Sequence, residues 1–326
     1  MRRLMTACLA SLVLYAALFG FILDRPLAYG FLRQQIDAKL ARGVVSPKLV
    51  ILAGSNGPYS HRCEVIEPLI GRACVNAGVA VGIGLDYLFA RWRPLLHPGD
   101  VVYLPMEEAQ YVRTRAATEV GPDAAIMFRH DWGTLATLSP ARWGGALFSF
   151  DLRYALMSLV EKVLAMRGFH DPREAVTGGT NAWGDHVGHT MALAAGDRLM
   201  LASLTPWHAT APGVRDGYGT ALLVEFMGWA RAHRVQVIGG FPAGFRDAPM
   251  PDTTRAAIRA VYLANGAEFL ELPNESLYPR TDFFDSPEHL AEPGQIAHSI
   301  AVGDALRAML SRPAKLAAGQ SQSNAR

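Results

Sequence analysis

Two short segments near opposite ends of the chain carry residue types that do nucleophilic chemistry. Leu49-Val50-Ile51-Leu52-Ala53-Gly54-Ser55-Asn56-Gly57 reads as a buried strand running into a serine on a tight turn. Asp285-Ser286-Pro287-Glu288-His289-Leu290 places an acid and an imidazole in one loop. A serine hydroxyl attacks a carbonyl at neutral pH when a base takes its proton, and histidine, with an ordinary pKa of about 6.5, suits that task. A carboxylate beside the ring fixes its tautomer and stabilises the cation. Asp285 stands in that position, with Asp282 as a second candidate. Ser55, Asp285 and His289 are therefore the parts of a site that cleaves or transfers an ester, provided the fold brings the two ends together. Each segment also has a plain structural reading, in which Ser55 or Asn56 caps the following helix and the Asp285/His289 pair caps the last one.

The elements between them are such as to bring the ends together. Short apolar strands are predicted at 49–53, 73–76, 101–104, 198–204, 235–239 and 268–272. Helices are predicted at 60–70, 85–95, 220–233, 253–265 and 293–310, with Gly266 closing the fourth. Such alternation argues for a parallel sheet with helices on both faces, and ligands of such sheets bind beyond the carboxyl ends of the strands. Both motifs fall on that side. From about 113 to 196 the alternation stops. Trp132, Trp143 and Trp183 and one helix at 152–166 predict an insertion over the sheet, a lid or a substrate platform.

The remaining features set compartment and exclude some chemistry. Of 326 residues half are hydrophobic, and a net charge of +2 without a basic cluster gives no case for nucleic acid. Arg2 and Arg3 precede an uncharged run over 4–23, long enough for a helix across a bilayer and lacking a convincing cleavage site before Asp24. This predicts an uncleaved inner-membrane anchor with the rest exported to the periplasm, a cleaved signal being the alternative. The organisation expected is thus an anchor at 1–24, a stem at 25–47, an α/β domain at 48–310 with its insertion at 113–196, and a disordered tail at 311–326. Cys63 and Cys74 either pair, as an exported protein allows, or serve as small buried residues, and Cys8 sits in the apolar run. Asp185-His186-Val187-Gly188-His189 hints at metal but has no third ligand nearby, so no metal and no cofactor is expected. Glu107 and Glu108 are adjacent at a strand end and point in opposite directions.

The layout resembles the SGNH (GDSL-like) hydrolase superfamily over 48–310. Ala53-Gly54-Ser55-Asn56 stands where that family has its nucleophile block. Val75-Asn76-Ala77-Gly78-Val79-Ala80-Val81-Gly82 resembles its second block, and Phe284-Asp285-Ser286-Pro287-Glu288-His289-Leu290 its last. The resemblance implies a single three-layer α/β domain with a parallel, flavodoxin-like sheet. It implies Ser55 as nucleophile, His289 as base, Asp285 as its orienter, and an oxyanion donor from Gly82 or Gly78. The family's third-block asparagine is missing, since Leu104-Pro105-Met106-Glu107-Glu108 follows the third strand. Asn56, Asn181 or a backbone amide is the expected replacement, and the Asp-His spacing is one residue wider than in the family. The anchored form is similar to proteins of exopolysaccharide and cell-wall acylation: alginate acetylation, teichoic-acid D-alanylation and cellulose synthase. That likeness implies a polysaccharide substrate and a membrane acyltransferase or polysaccharide synthase complex as partner. The opposite expectation, a degraded site that binds glycan or partner without turnover, rests on the missing asparagine.

Overall fold

The computed structural model describes residues 1–18, 39, 42–119, 127, 131–148, 152–169 and 179–311. Its centre is a parallel sheet of five strands: β1 (Lys48–Ile51), β2 (Ala73–Asn76), β3 (Val101–Leu104), β4 (Gln236–Gly240) and β5 (Glu268–Leu270), in the order β2-β1-β3-β4-β5. Val50 pairs with Val75 on one side and Val102 on the other. Alternate side chains of a strand leave on opposite faces. Leu49, Ile51, Val101 and Tyr103 pack against helices Cys63–Ile70 and Glu292–Leu310. Val50, Leu52, Val102 and Leu104 pack against helices Leu85–Trp92, Tyr218–Ala232 and Asp252–Ala264. Both faces of the sheet are covered, which is why the strands read as continuous apolar runs. The order reverses between β1 and β3, and the crevice at such a reversal is where open α/β sheets bind ligands.

Three expectations need correction. The strand predicted at 198–204 is the helix Arg198–Ser203. Only Leu201 is buried there, against Phe245, Phe283 and Leu290, while Leu199 is 88% exposed. A short apolar run does not distinguish strand from helix by periodicity. The helix predicted at 60–70 is broken. Asn56–Ser60 ends at His61, whose extended backbone leads to a fresh start at Cys63. Asp185, from the end of the insertion, accepts the N–H groups of Cys63 (2.8 Å) and Glu64 (3.1 Å) and so caps the restarted helix. The insertion itself is more helical than expected, with Pro140–Leu147 beside Leu152–Met166.

Cys63 and Cys74 are joined as a disulfide between that helix and β2, with Cα atoms 5.3 Å apart. Cys8 is free and exposed. At the N-terminus Arg2–Ala17 is a helix with no buried residue. The run predicted to cross a membrane continues beyond residue 18, and its remainder, most of the stem and the tail from 312 lie outside the described residues. Among the described residues no helix is long and apolar enough to cross a membrane.

The strand that leads into Ser55 is fixed at its start by a buried ion pair. Lys48 Nζ lies 2.5 Å from Asp100 Oδ2, and both side chains are fully buried. Burial alone would raise the Asp100 carboxyl, but the Lys48 ammonium, the N–H groups of His97 and Lys48 and the Ser46 hydroxyl hold it below the usual range. Removing one partner leaves a buried charge unopposed, which costs about 3–5 kcal/mol. Lys48→Met is therefore expected to lower unfolding stability by about that amount in urea titrations; a loss below about 1 kcal/mol would show that the pair does not hold β1 to β3.

Candidate active site

Ser55 comes off the carboxyl end of β1 and occupies the N-cap position of helix Asn56–Ser60, yet its side chain makes no capping bond. Its hydroxyl instead lies 2.8 Å from His289 Nε2. His289 Nδ1 lies 2.6 Å from Asp285 Oδ1. With a carboxylate on Nδ1, that nitrogen carries the proton and donates, leaving Nε2 to accept from Ser55. The final helix is N-capped at Ala291 without a side-chain bond, so the Asp285/His289 pair is not spent on capping either. The three residues picked out by type and order are thus brought into one hydrogen-bonded chain. Asp282 is elsewhere: its carbonyl accepts the Ala291 N–H at 2.7 Å.

The wider Asp-His spacing has a local cause. The loop doubles back, with Phe283 bridging Leu290 and the Phe284 N–H donating to the His289 carbonyl at 2.8 Å. Asp285 and His289 flank this narrow turn and face each other across it. The imidazole lies flat on Tyr59, ring centres 4.1 Å apart and planes 10° from parallel. That contact fixes the ring plane while Asp285 fixes its rotation.

Two glycines let the nucleophile turn close. A Cβ on Gly54 would lie 2.5 Å from Glu107 Oε1 and 2.8 Å from Val81 Cγ2. A Cβ on Gly78 would lie 2.7 Å from the Gly54 carbonyl oxygen. The turns after β1 and β2 therefore press directly on each other. Gly82 sits in the 3₁₀ turn Val81–Ile83, beside the valine that abuts Gly54. The Asn56 side chain is committed elsewhere, donating to the Pro105 carbonyl at 2.6 Å. Its backbone N–H points to Glu107 Oε1 at 3.3 Å. Asn181 bonds to Asp185 at 3.1 Å within the insertion's own turn and is not brought to Ser55.

Residues outside the expected set complete the site. Ser60 donates to the Glu288 carbonyl at 2.6 Å and accepts the Leu290 N–H at 3.2 Å, and so holds His289 from both sides. Nothing in the sequence around Ser60 signals this. Glu107 and Glu108 do diverge as expected. Glu108 receives the Ala209 N–H at 2.6 Å and pairs with His208 at 2.7 Å. Glu107 turns toward Ser55, buried against Gly54 and tied by a capping box to Gln110, whose side chain also accepts the Gly54 N–H at 3.2 Å. The signal for Glu107 was its place after β3, on the other side of the crevice from Ser55.

These carboxylates set the protonation of the base. Burial alone would depress His289, but the Asp285 bond and the charges of Asp285, Glu107 and Glu288 raise it above its ordinary value. Burial would raise Asp285, and the bond and charge of His289 hold it below the carboxylate range. Burial pushes Glu107 up. Burial together with the neighbouring Glu107 carries Glu288 to about 7.

His186 and His189 pack around Tyr59, with ring centres 4.2 and 5.3 Å from it. Burial lowers His189 to about 4, so it is a neutral packing group. Among the described residues no group of three His, Cys, Asp or Glu side chains could hold a metal ion. Of the tryptophans, Trp183 is structural, donating to Glu67 at 3.0 Å under the Arg42 guanidinium. Beside the triad loop an open cleft is lined by Glu108, Trp207, His208, Phe241, Arg255 and Glu288 among others, and Trp207 presents most of its ring to solvent. Comparison with protein-family models, curated proteins and solved structures finds no match to this chain.

The elevated His289 fixes the sign of a pH effect. A base must be neutral to accept a proton from Ser55, so any turnover of an activated ester through this pair is expected to show a kcat/KM that rises with pH through a limb above the ordinary histidine value of about 6.5. Glu107→Gln removes one of the negative charges that stabilise the cation. The limb is then expected to move to lower pH; an unmoved limb in the pH profile would show that Glu107 carries no charge opposite His289.

Proposed function

We propose that this chain is an SGNH-type serine esterase or O-acyltransferase acting on acetyl-like acyl groups of an exported polysaccharide, cellulose or a related exopolysaccharide. The hydrogen-bonded chain from Ser55 through His289 to Asp285 carries the reading. Its support also includes the β2-β1-β3-β4-β5 order, the contact of Gly78 with the nucleophile turn, and the site's place at the carboxyl edge of the sheet.

Ser55 Oγ attacks the acyl carbonyl carbon as its proton passes to His289 Nε2, and Asp285 stabilises the resulting cation. The carbonyl oxygen becomes an oxyanion facing the Ser55 N–H and that of Gly82 or Gly78. When the intermediate collapses, the C–O bond to the leaving alcohol breaks and His289 returns the proton to that alcohol. Water or a sugar hydroxyl, deprotonated by His289, then attacks the acyl-enzyme and restores Ser55. The cleft that reaches Glu288, next to His289, presents the Trp207 face, which suits a sugar ring. The apolar helix Arg2–Ala17 supports attachment to the bacterial inner membrane through a longer N-terminal span, and the Cys63–Cys74 bond supports an oxidising compartment such as the periplasm. A membrane acyltransferase or polysaccharide synthase complex is the partner such a position implies.

One observation favours a second reading, an accessory that binds glycan or partner without turnover. A carboxyl group, Glu107, stands after β3, where the resemblance calls for an amide donor. Reactivity separates the two. The wild type is expected to hydrolyse p-nitrophenyl acetate and to react with a fluorophosphonate, whereas Ser55→Ala and His289→Ala each lose about 10⁴–10⁶-fold in kcat. A wild type inert to the fluorophosphonate, or variants as fast as wild type, would sink the enzymatic reading and leave the binding one.

A further inference from the structure

The helix Leu152–Met166 is amphipathic in the wrong sense for a helix of a water-soluble surface. Leu156, Leu159, Val160 and Val163 fall at the i, i+3, i+4, i+7 spacing of one stripe, and all four are exposed, as are Met166 and the following Phe169. The opposite stripe carries Ser158 and Glu161, and both are buried. An apolar stripe of this length facing outward marks a contact with another apolar phase.

Continuity with the N-terminal helix says which phase. Ala155 packs on the same buried cluster as Tyr15 and Leu18, and Tyr15 stacks on Phe148 with ring centres 5.5 Å apart. The N-terminal helix turns Leu9, Val13 and Leu14 outward. Next to the junction, Trp132 and Trp143 lie 6.3 Å apart, both exposed, as aromatic side chains at a membrane–water boundary do. Arg153 and Arg167 are exposed at the two ends of the inverted helix, where anionic headgroups would meet them.

We infer that Leu152–Met166 lies flat in the outer interface of the same bilayer that the N-terminal helix enters, its apolar stripe against acyl chains and its polar stripe turned inward. The occupant of this face is a lipid surface, and the insertion is a second, peripheral membrane contact. The inference rests on the membrane attachment proposed above. Interfacial helices of this kind sink about 5–10 Å into the headgroup–acyl boundary.

The test uses the full chain in phosphatidylethanolamine–phosphatidylglycerol vesicles, with Cys8→Ser to leave only the disulfide cysteines. A polarity-sensitive fluorophore is attached through Val160→Cys, through Leu9→Cys in the N-terminal helix, or through Ala264→Cys, exposed beside β5 at the sheet edge remote from β2. The expected result is blue-shifted emission, quenched by spin-labelled lipid, at 160 and at 9 but not at 264. Quenching at 9 with water-like emission at 160 would overturn the inference and leave the anchor standing. Absence of quenching at both would overturn the inference and the anchor together. A blue shift at 160 without lipid quenching would also overturn it, assigning the face to a second copy of the chain or another protein.

Discussion

The candidate site depends on Ser60. His289 and Ser55 are 234 residues apart in sequence, and their 2.8 Å contact requires that the loop bearing His289 be held against the helix that follows Ser55. Ser60, one turn beyond the nucleophile, does this with one hydroxyl that donates to the Glu288 carbonyl and accepts the Leu290 N–H. The backbone on both sides of His289 is thereby bonded to the nucleophile helix. Further ties surround it. Gln295 donates to the Pro58 carbonyl, Arg62 pairs with Glu292, and the Ser299 hydroxyl accepts the Arg62 N–H. The break at His61 follows from the same requirement. A helix running unbroken from Asn56 to Ile70 would place its later turns along one axis. The restart lets Asn56–Ser60 aim at the site while Cys63–Ile70 packs on the sheet.

Around that contact the site gathers more negative charge than a Ser-His-Asp chain needs. Asp285 bonds the imidazole, and Glu107 and Glu288 face it from the turn after β3 and from the neighbouring loop position. Their effects on catalysis conflict. In the proposed reaction, an ionised Glu107 would support the His289 cation formed as Ser55 gives up its proton. The same charge opposes an oxyanion developing beside Gly54. Burial pulls Glu107 toward its neutral form and His289 pulls it toward the ionised one. Protonation is then a property of the cluster rather than of any one member.

The sequence was legible where local pattern and topology agreed. β1, β2 and β3 read as apolar runs because both sheet faces are covered, and Ser55, Asp285 and His289 read as a group because chain order and strand ends put them on one side. The helix Arg198–Ser203 was misread because a single anchored leucine inside an apolar run carries no period. Ser60 was invisible because its role is a bond to a loop 228 residues away, and a serine inside a short helix looks like any other. Glu107 was passed over as one half of an adjacent pair, although divergence of neighbours is what frees one of them to face the crevice. The Cys63–Cys74 link stayed open in sequence terms because spacing of 11 residues fits a bond and two core residues equally well.

The insertion connects the site to the N-terminal helix in a definite geometry. Its far end supplies Asp185, which caps the helix after the nucleophile segment, and the Trp183 carbonyl, which accepts the Asn76 N–H at the end of β2. Its middle forms one buried cluster with Val79 and Ile83, on either side of Gly82, and with Tyr15 of the N-terminal helix. The segment after β2 thus has the nucleophile turn on one side, through Gly78, and the insertion cluster on the other. The N-terminal helix therefore packs, through Tyr15, on the same cluster that backs the turn facing Ser55. Under the proposed membrane attachment, the described part of the insertion stands between the N-terminal helix and the turn that faces Ser55.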